Sequence, residues 1–222
     1  MSKLDEKIAS GREYRNIQFE FRALDDSDEM IVEGYATTFN DPYELYNMGD
    51  YIVMEQIDSK AFDECDMDDV IFQYNHEGRV FARTSNNTLE VVPDEKGLHI
   101  RANLGGTEIG RELFEEIKGG YTTKMSFGFR VGEDTRTVTE DYENNVTTVL
   151  RTVTKIVKLY DVSAVSIPAN SGTEISARNF ADGCAAMKED LKHKPGEKSR
   201  LTILVENGKS VAPKLYHSLT KI

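Results

Sequence analysis

Three side chains in this sequence have the chemistry to form and break an acyl bond: Ser126, His76 and Asp161. A hydroxyl is a poor nucleophile until a base takes its proton. The base works best when a third group fixes its tautomer. Ser126 lies in YTTKMSFGFRV, Tyr121 to Val131, which alternates with period two. Tyr121, Thr123, Met125, Phe127, Phe129 and Val131 make one apolar face. Thr122, Lys124, Ser126, Gly128 and Arg130 make the other, which on pattern alone reads as a solvent-facing polar face. Its unusual feature is a serine with a glycine two residues on, between two cations. Gly128 leaves room beside the hydroxyl for backbone or ligand. Lys124 and Arg130 could favour an anionic intermediate.

His76 ends the apolar run VIFQYN. A lone histidine at a strand end is commonly structural. Imidazole nevertheless titrates near ~6.5 in water and is the best proton acceptor near neutral pH. His99 falls mid-strand in a hairpin, and His193 and His217 fall in tail segments, which leaves His76 as the well-placed base. Asp161 interrupts KIVKLYDVSAVSI, on a face read as shared with Val157, Leu159, Ser163 and Val165. A carboxylate there needs a partner, because desolvating it is costly. An imidazole N–H would serve; so would a lysine or backbone N–H groups at a sheet rim. The order His, Ser, Asp differs from the familiar serine protease orders.

These residues must be positioned by strands. Ile17–Ala23 alternates as a half-buried strand, and Asp25–Asp28 is a turn. Met30–Phe39 reads as the next strand, with a bulge expected at Gly34. Tyr51–Ile57 is a short strand, Asp58–Phe62 a capped single helical turn and Asp63–Asp69 a solvated acidic loop. That loop lacks the ligand spacing and central glycine of a calcium loop, so no metal is expected. Thr88–Val92 and Leu98–Asn103 form a hairpin around Pro93–Gly97. Thr107–Lys118 is the clear helix, with Ile109, Leu113 and Ile117 on one face and Gly119-Gly120 as its stop. Thr147–Val165 is a further strand. A helix over Ser176–Leu191, a polar linker His193–Ser199 and a weak hairpin from Leu201 follow. Many strands with one or two helices predict a mostly β (α+β) fold, a closed or nearly closed β-barrel with peripheral helices. The division is a flexible arm 1–16, a strand-rich domain 17–180 and a tail 181–222.

Composition sets the bounds. The 222 residues carry a formal net charge of -12, with 39% hydrophobic residues, enough for a core. An acidic surface repels phosphate backbones, so no nucleic-acid partner is expected. The charged N-terminus has no apolar signal core and no run reaches membrane-span length, so a soluble cytoplasmic protein is expected. Cys65 and Cys184 read as two reduced thiols. Acidic neighbours would suppress a thiolate at Cys65.

The residues then carry a resemblance. Gly34-Tyr35-Ala36 to Phe39-Asn40, Ile57-Asp58 with Ala61-Phe62, Asn75-His76-Glu77, and Asp94 to Gly97-Leu98 recur in a known order. So do Gly110-Arg111-Glu112-Leu113 with Ile117-Lys118-Gly119-Gly120, Lys124-Met125-Ser126-Phe127-Gly128-Phe129, Leu159-Tyr160-Asp161-Val162-Ser163 and Pro168-Ala169. From about residue 17 to 180 the chain resembles the prohead maturation proteases of HK97-type tailed bacteriophages. The resemblance implies an assemblin-like β-barrel and a serine endopeptidase with His76 as base and Ser126 as nucleophile. The family's acidic residue before Val-Ser is usually Glu; here it is Asp161, one methylene shorter. That departure is the sole sequence support for the alternative, a non-catalytic capsid assembly module. The resemblance further implies no cofactor, capsid or scaffold protein as substrate, a homo-oligomer, and action inside the assembling procapsid in the host cytoplasm. The polar tails are expected zones of self-cleavage.

Overall fold

Period-two alternation dominates the chain, and strands result. The computed structural model describes residues 11–17, 21–24 and 29–166. The strands are β1 (Glu13–Ile17), β2 (Phe21–Ala23), β3 (Ile31–Thr38), β4 (Tyr43–Asn47), β5 (Tyr51–Ile57), β6 (Ile71–Tyr74) and β7 (Glu77–Arg83). After them come β8 (Leu89–Pro93), β9 (Gly97–Asn103), the helix α1 (Glu108–Lys118), β10 (Lys124–Asp141) and β11 (Val146–Val165). The expected tail elements, helix 176–191, linker 193–199 and hairpin from 201, lie outside the described residues, as do the turn 25–28, Cys184, His193 and His217.

The fold is mostly β, and among the described residues no barrel closes. One sheet runs β1-β10-β11-β5-β4, and β6 with β7 also branches from β11. The other runs β2-β3-β9-β8. β11 is long enough to take two parallel partners in series, β5 along Thr147–Val153 and β6 along Asp161–Ala164. The two sheets share one core. Val32 and Ala36 of β3 and Leu98, Ile100 and Ala102 of β9 pack with Met125, Phe127 and Phe129 of β10. Fully burying each such large apolar side chain stabilises by about 2–3 kcal/mol. An isolated parallel bridge from Phe39, just past β3, to Ile57 of β5 also links the two sheets through main chain.

The helix starts at Thr107, whose hydroxyl accepts from Gly110 N–H at 3.1 Å, as an N-cap should. Its buried face is Gly110, Leu113, Phe114 and Ile117; Ile109 is only partly buried. Asp58 caps a turn rather than a helix, accepting from Lys60 N–H at 2.8 Å. The bulge in β3 falls at Ala36, between the pairs Tyr35↔His99 and Thr37↔Leu98, and not at Gly34. Tyr121, expected on the apolar face of the serine strand, is 83% exposed, because that strand begins only at Lys124.

Two departures matter for the site. The segment read as a flexible arm ends in β1, which pairs with β10 in the register Tyr14↔Gly128 and Asn16↔Ser126. The serine strand, expected to end at Val131, runs on to Asp141 as a long ribbon with β11.

Candidate active site

Ser126, His76 and Asp161 come together although 85 residues separate the outer two. Each arrives by a different local device. Ser126 stands on β10 between Met125 and Phe127, and both faces of the strand are buried here. The face read as solvent-facing packs instead against the histidine and aspartate; only Arg130 lies exposed.

His76 is carried by the turn between β6 and β7. Tyr74 pairs with Glu77, so the loop has two residues, Asn75 and His76. Both have positive φ, 51° and 59°. A two-residue hairpin with both central residues left-handed matches the strand twist, but glycine is the usual second residue. A histidine there costs about 1–3 kcal/mol of backbone strain, which the surroundings must offset. Asn75 tolerates the conformation better and supplies the anchor. Its N–H donates to Ala164 O at 2.9 Å, its Oδ1 accepts from Ser166 N–H at 3.1 Å, and its amide bonds the Ser166 hydroxyl at 3.2 Å. The turn is thereby tied to the end of β11.

Asp161 reaches the site through a bulge. Gly128 pairs with Asp161, but the next rung pairs Phe129 with Leu159, so Tyr160 is looped out of register. Leu159 stays in the core while Asp161 turns to the face of Ser126 and Gly128. The expected common face for Leu159 and Asp161 is therefore wrong, because a bulge breaks the alternation. The role of Gly128 is also specific. A Cβ on it would lie 2.4 Å from Asp161 Oδ2 and 2.8 Å from the Tyr14 ring. Its bareness makes room for the carboxylate.

The three groups form a hydrogen-bonded chain. Ser126 Oγ lies 2.5 Å from His76 Nε2, and His76 Nδ1 bonds Asp161 Oδ1. A carboxylate only accepts, so Nδ1 carries the proton and Nε2 is left to accept from the hydroxyl. Ser163 also donates to Asp161 Oδ1, at 3.0 Å. All three residues are buried. Burial alone would raise the Asp161 pKa. The adjoining His76 ring with its Nδ1–H bond, the Arg12 guanidinium and the Ser163 hydroxyl outweigh it and hold the carboxyl below its ordinary 3.8. A hydroxyl, a base and an orienting anion in this order can activate an oxygen nucleophile.

Several residues near the site had no signal in the pattern. Arg12 Nη1 lies 3.5 Å from Asp161 Oδ2, and the Tyr14 ring packs on the His76 ring with centroids 4.4 Å apart. Both sit in a charged stretch that shows no alternation. Behind them a buried ionic network crosses five strands. Arg15 and Arg151 bind Glu55 and Glu13, Arg151 also binds Asp134, and Tyr43 donates to Glu55 at 2.5 Å. Glu55 in YIVMEQI and Arg151 in VTTVLRTV are charges at inward positions of apolar strands, which was a usable signal. Among the other expected residues, His99 packs edge-on to Tyr35, away from this cluster. Burial pushes the Cys65 thiol up to about 11. Among the described residues no cluster of His, Cys, Asp or Glu could hold a metal, and no helix is long and apolar enough to cross a membrane.

Directly after His76, β7 pairs only with β6, so its other edge is open among the described strands. A groove of about 350 Å³ lies between β7 and α1. Phe81 and Leu113 give it an apolar lining; Glu77, Glu112 and Glu116 outnumber Arg79 among its charges.

Comparison with curated proteins and with solved structures returns no match. The family model described as caudovirus prohead serine protease matches residues 17–188, which is most of the chain and includes His76, Ser126 and Asp161. A serine poised against a histidine in the matched span accords with that description, and this chain belongs to the caudovirus prohead serine protease family.

Proposed function

We propose that the chain is a serine endopeptidase in which Ser126 is the nucleophile, His76 the general base and Asp161 the group that orients the imidazole. The observation that carries this reading is the continuous hydrogen-bonded path from the Ser126 hydroxyl through both ring nitrogens of His76 to the Asp161 carboxylate. Ser126 Oγ bonds to the carbonyl carbon of the scissile peptide as its proton passes to Nε2. The same proton then goes to the leaving nitrogen, the C–N bond breaks, and an acyl-serine remains. Water attacks the ester with His76 again as base, releasing the new carboxyl and restoring the serine. Asp161 stays ionised and stabilises the transient imidazolium. The hydroxyl is buried, so a substrate enters by displacing side chains beside it.

The family supports capsid maturation as the setting, inside the phage procapsid. We assign the substrate as capsid or scaffold protein, with the enzyme's own tails as a second substrate. The groove beside His76 suits an extended polypeptide laid along the open edge of β7. Its carboxylates favour basic residues in a peptide laid there. Reversing charge in Glu112→Lys/Glu116→Lys is expected to slow cutting of a Lys- or Arg-containing site by roughly 3–10-fold in kcat/KM, with an uncharged peptide little affected.

The central test is Ser126→Ala, co-expressed with the capsid precursor. Turnover is expected to fall on the order of 10⁴-fold. Intact mass of the enzyme should show trimmed tails in the wild type only. Wild-type cutting by Ser126→Ala rejects the nucleophile, and equal masses in both reject self-processing.

A further inference from the structure

The family match begins at residue 17, yet the strand ahead of it reaches the centre of the site. We infer that Arg12, just ahead of β1, and Tyr14, within it, are positioning residues that lock Asp161 and the His76 ring in their reacting geometry. The inference rests on the catalytic reading of Ser126, His76 and Asp161.

The two oxygens of Asp161 are occupied differently. Oδ1 takes the bonds from His76 and Ser163. Oδ2 points at bare Gly128 and at Arg12, whose Nη1 is 3.5 Å away. The carboxylate can swing about its own bond unless Oδ2 is held, and any swing breaks the His76 bond. Arg12 is itself held. Its guanidinium lies over the Tyr160 ring at 3.6 Å, and it donates to the Tyr14 hydroxyl at 3.3 Å. The Tyr14 ring in turn packs at 59° on the imidazole and against the space left by Gly128. One short stretch of chain thus touches both the base and its orienting anion.

The strand has its own fastening. Glu13 and Arg15 flank Tyr14 and point into the buried ionic network with Glu55 and Arg151. Tyr14 and Arg15 are 1% exposed. Surface adhesion of a passing tail would not bury an arginine so deeply. A cut before Gly11 leaves this clamp whole, whereas a cut between Arg12 and Tyr14 removes the guanidinium from Asp161. Self-trimming of the arm would therefore set activity according to which side of Arg12 it falls.

The test is a pH profile of Ser126 phosphonylation by a fluorophosphonate reagent, using the full chain. Around the pair lie Arg12 just ahead of β1, Tyr14 from β1, Ser126 from β10, Ser163 from β11 and Glu77 at the start of β7. Removing the Arg12 cation makes a proton easier to hold on the pair. Arg12→Ala is expected to lower the labelling rate roughly 10–100-fold and to move the acid limb upward by about one pH unit, with Arg12→Lys restoring part of both. Tyr14→Phe keeps the ring and should stay within about 3-fold of wild type, whereas Tyr14→Ala should not. A purely structural role would lower the melting temperature and the labelled fraction but leave the limb in place. An unchanged rate and limb in Arg12→Ala overturns the inference while the catalytic reading stands. No labelling of the wild type, or equal labelling of Ser126→Ala, overturns both.

Discussion

His76 stands where glycine is the ordinary choice, and Gly128 stands where a side chain would do harm. The two positions are complementary. His76 accepts a left-handed backbone to bring its ring inward, and Gly128 gives up a side chain to admit Asp161. Gly128→Ala is therefore expected to push the carboxylate off Nδ1. Activity should fall at least 10-fold, and stability by about 1–3 kcal/mol from overpacking, read from peptide cleavage and urea unfolding. The candidate residues were legible because Asp161 interrupts an apolar strand, His76 ends one, and Ser126 stands with Gly128 between two cations on an alternating one. What was not legible was which way Asp161 points, since a bulge leaves no mark in the alternation of side-chain types. Arg12 and Tyr14 were illegible for another reason: their segment is pinned by charges, so its sequence resembles a solvated tail.

Elements then convert those residues into distances. The β6–β7 turn has two residues and so has little slack. Asn75 fixes it to Ala164 and Ser166 at the end of β11. Asn75→Ala loses the side-chain anchor and places a less tolerant residue at φ 51°. The expected cost is about 1–3 kcal/mol, with a larger loss in cleavage rate than Ser163→Ala, measured on the same substrate. Strand positions were largely readable from alternation and turn residues. Strand length was not. The second half of β10, Gly132 to Asp141, is polar and exposed on much of its surface, and only its pairing with β11 makes it a strand.

At the scale of the molecule, an acidic chain keeps a knot of ionised groups inside. Burial alone would raise the Glu13 pKa, but Arg151 and Arg15 outweigh it and hold it at about 2 against an ordinary 4.5. Glu55 is lowered too, burial being outweighed by the same two arginines. A carboxyl depressed in the folded state lends stability above its unfolded pKa and loses it as pH falls towards the folded value. Unfolding free energy should therefore decline from about pH 4.5 down to about pH 2. Glu13 accounts for about 2–3 kcal/mol of that decline. Urea midpoints across that range should slope less in Glu13→Gln. The β class followed from composition and periodicity, but closure did not. Whether a last pair of strands meets is a matter of sheet curvature and of partners shared along β11, neither of which a single strand's sequence encodes.

The ladder joining β10 to β11 has one more implication. Ser126 and Asp161 stand on it two residues apart in register, Ser126 opposite Ser163 and Gly128 opposite Asp161. Their spacing is written in main-chain bonds and cannot be altered without sliding a sheet. The imidazole alone comes in from outside that ladder, on a hairpin tip. In the proposed mechanism the nucleophile and the orienting anion are thus held by the sheet itself, and alignment of the base depends on how firmly Asn75 moors that one tip.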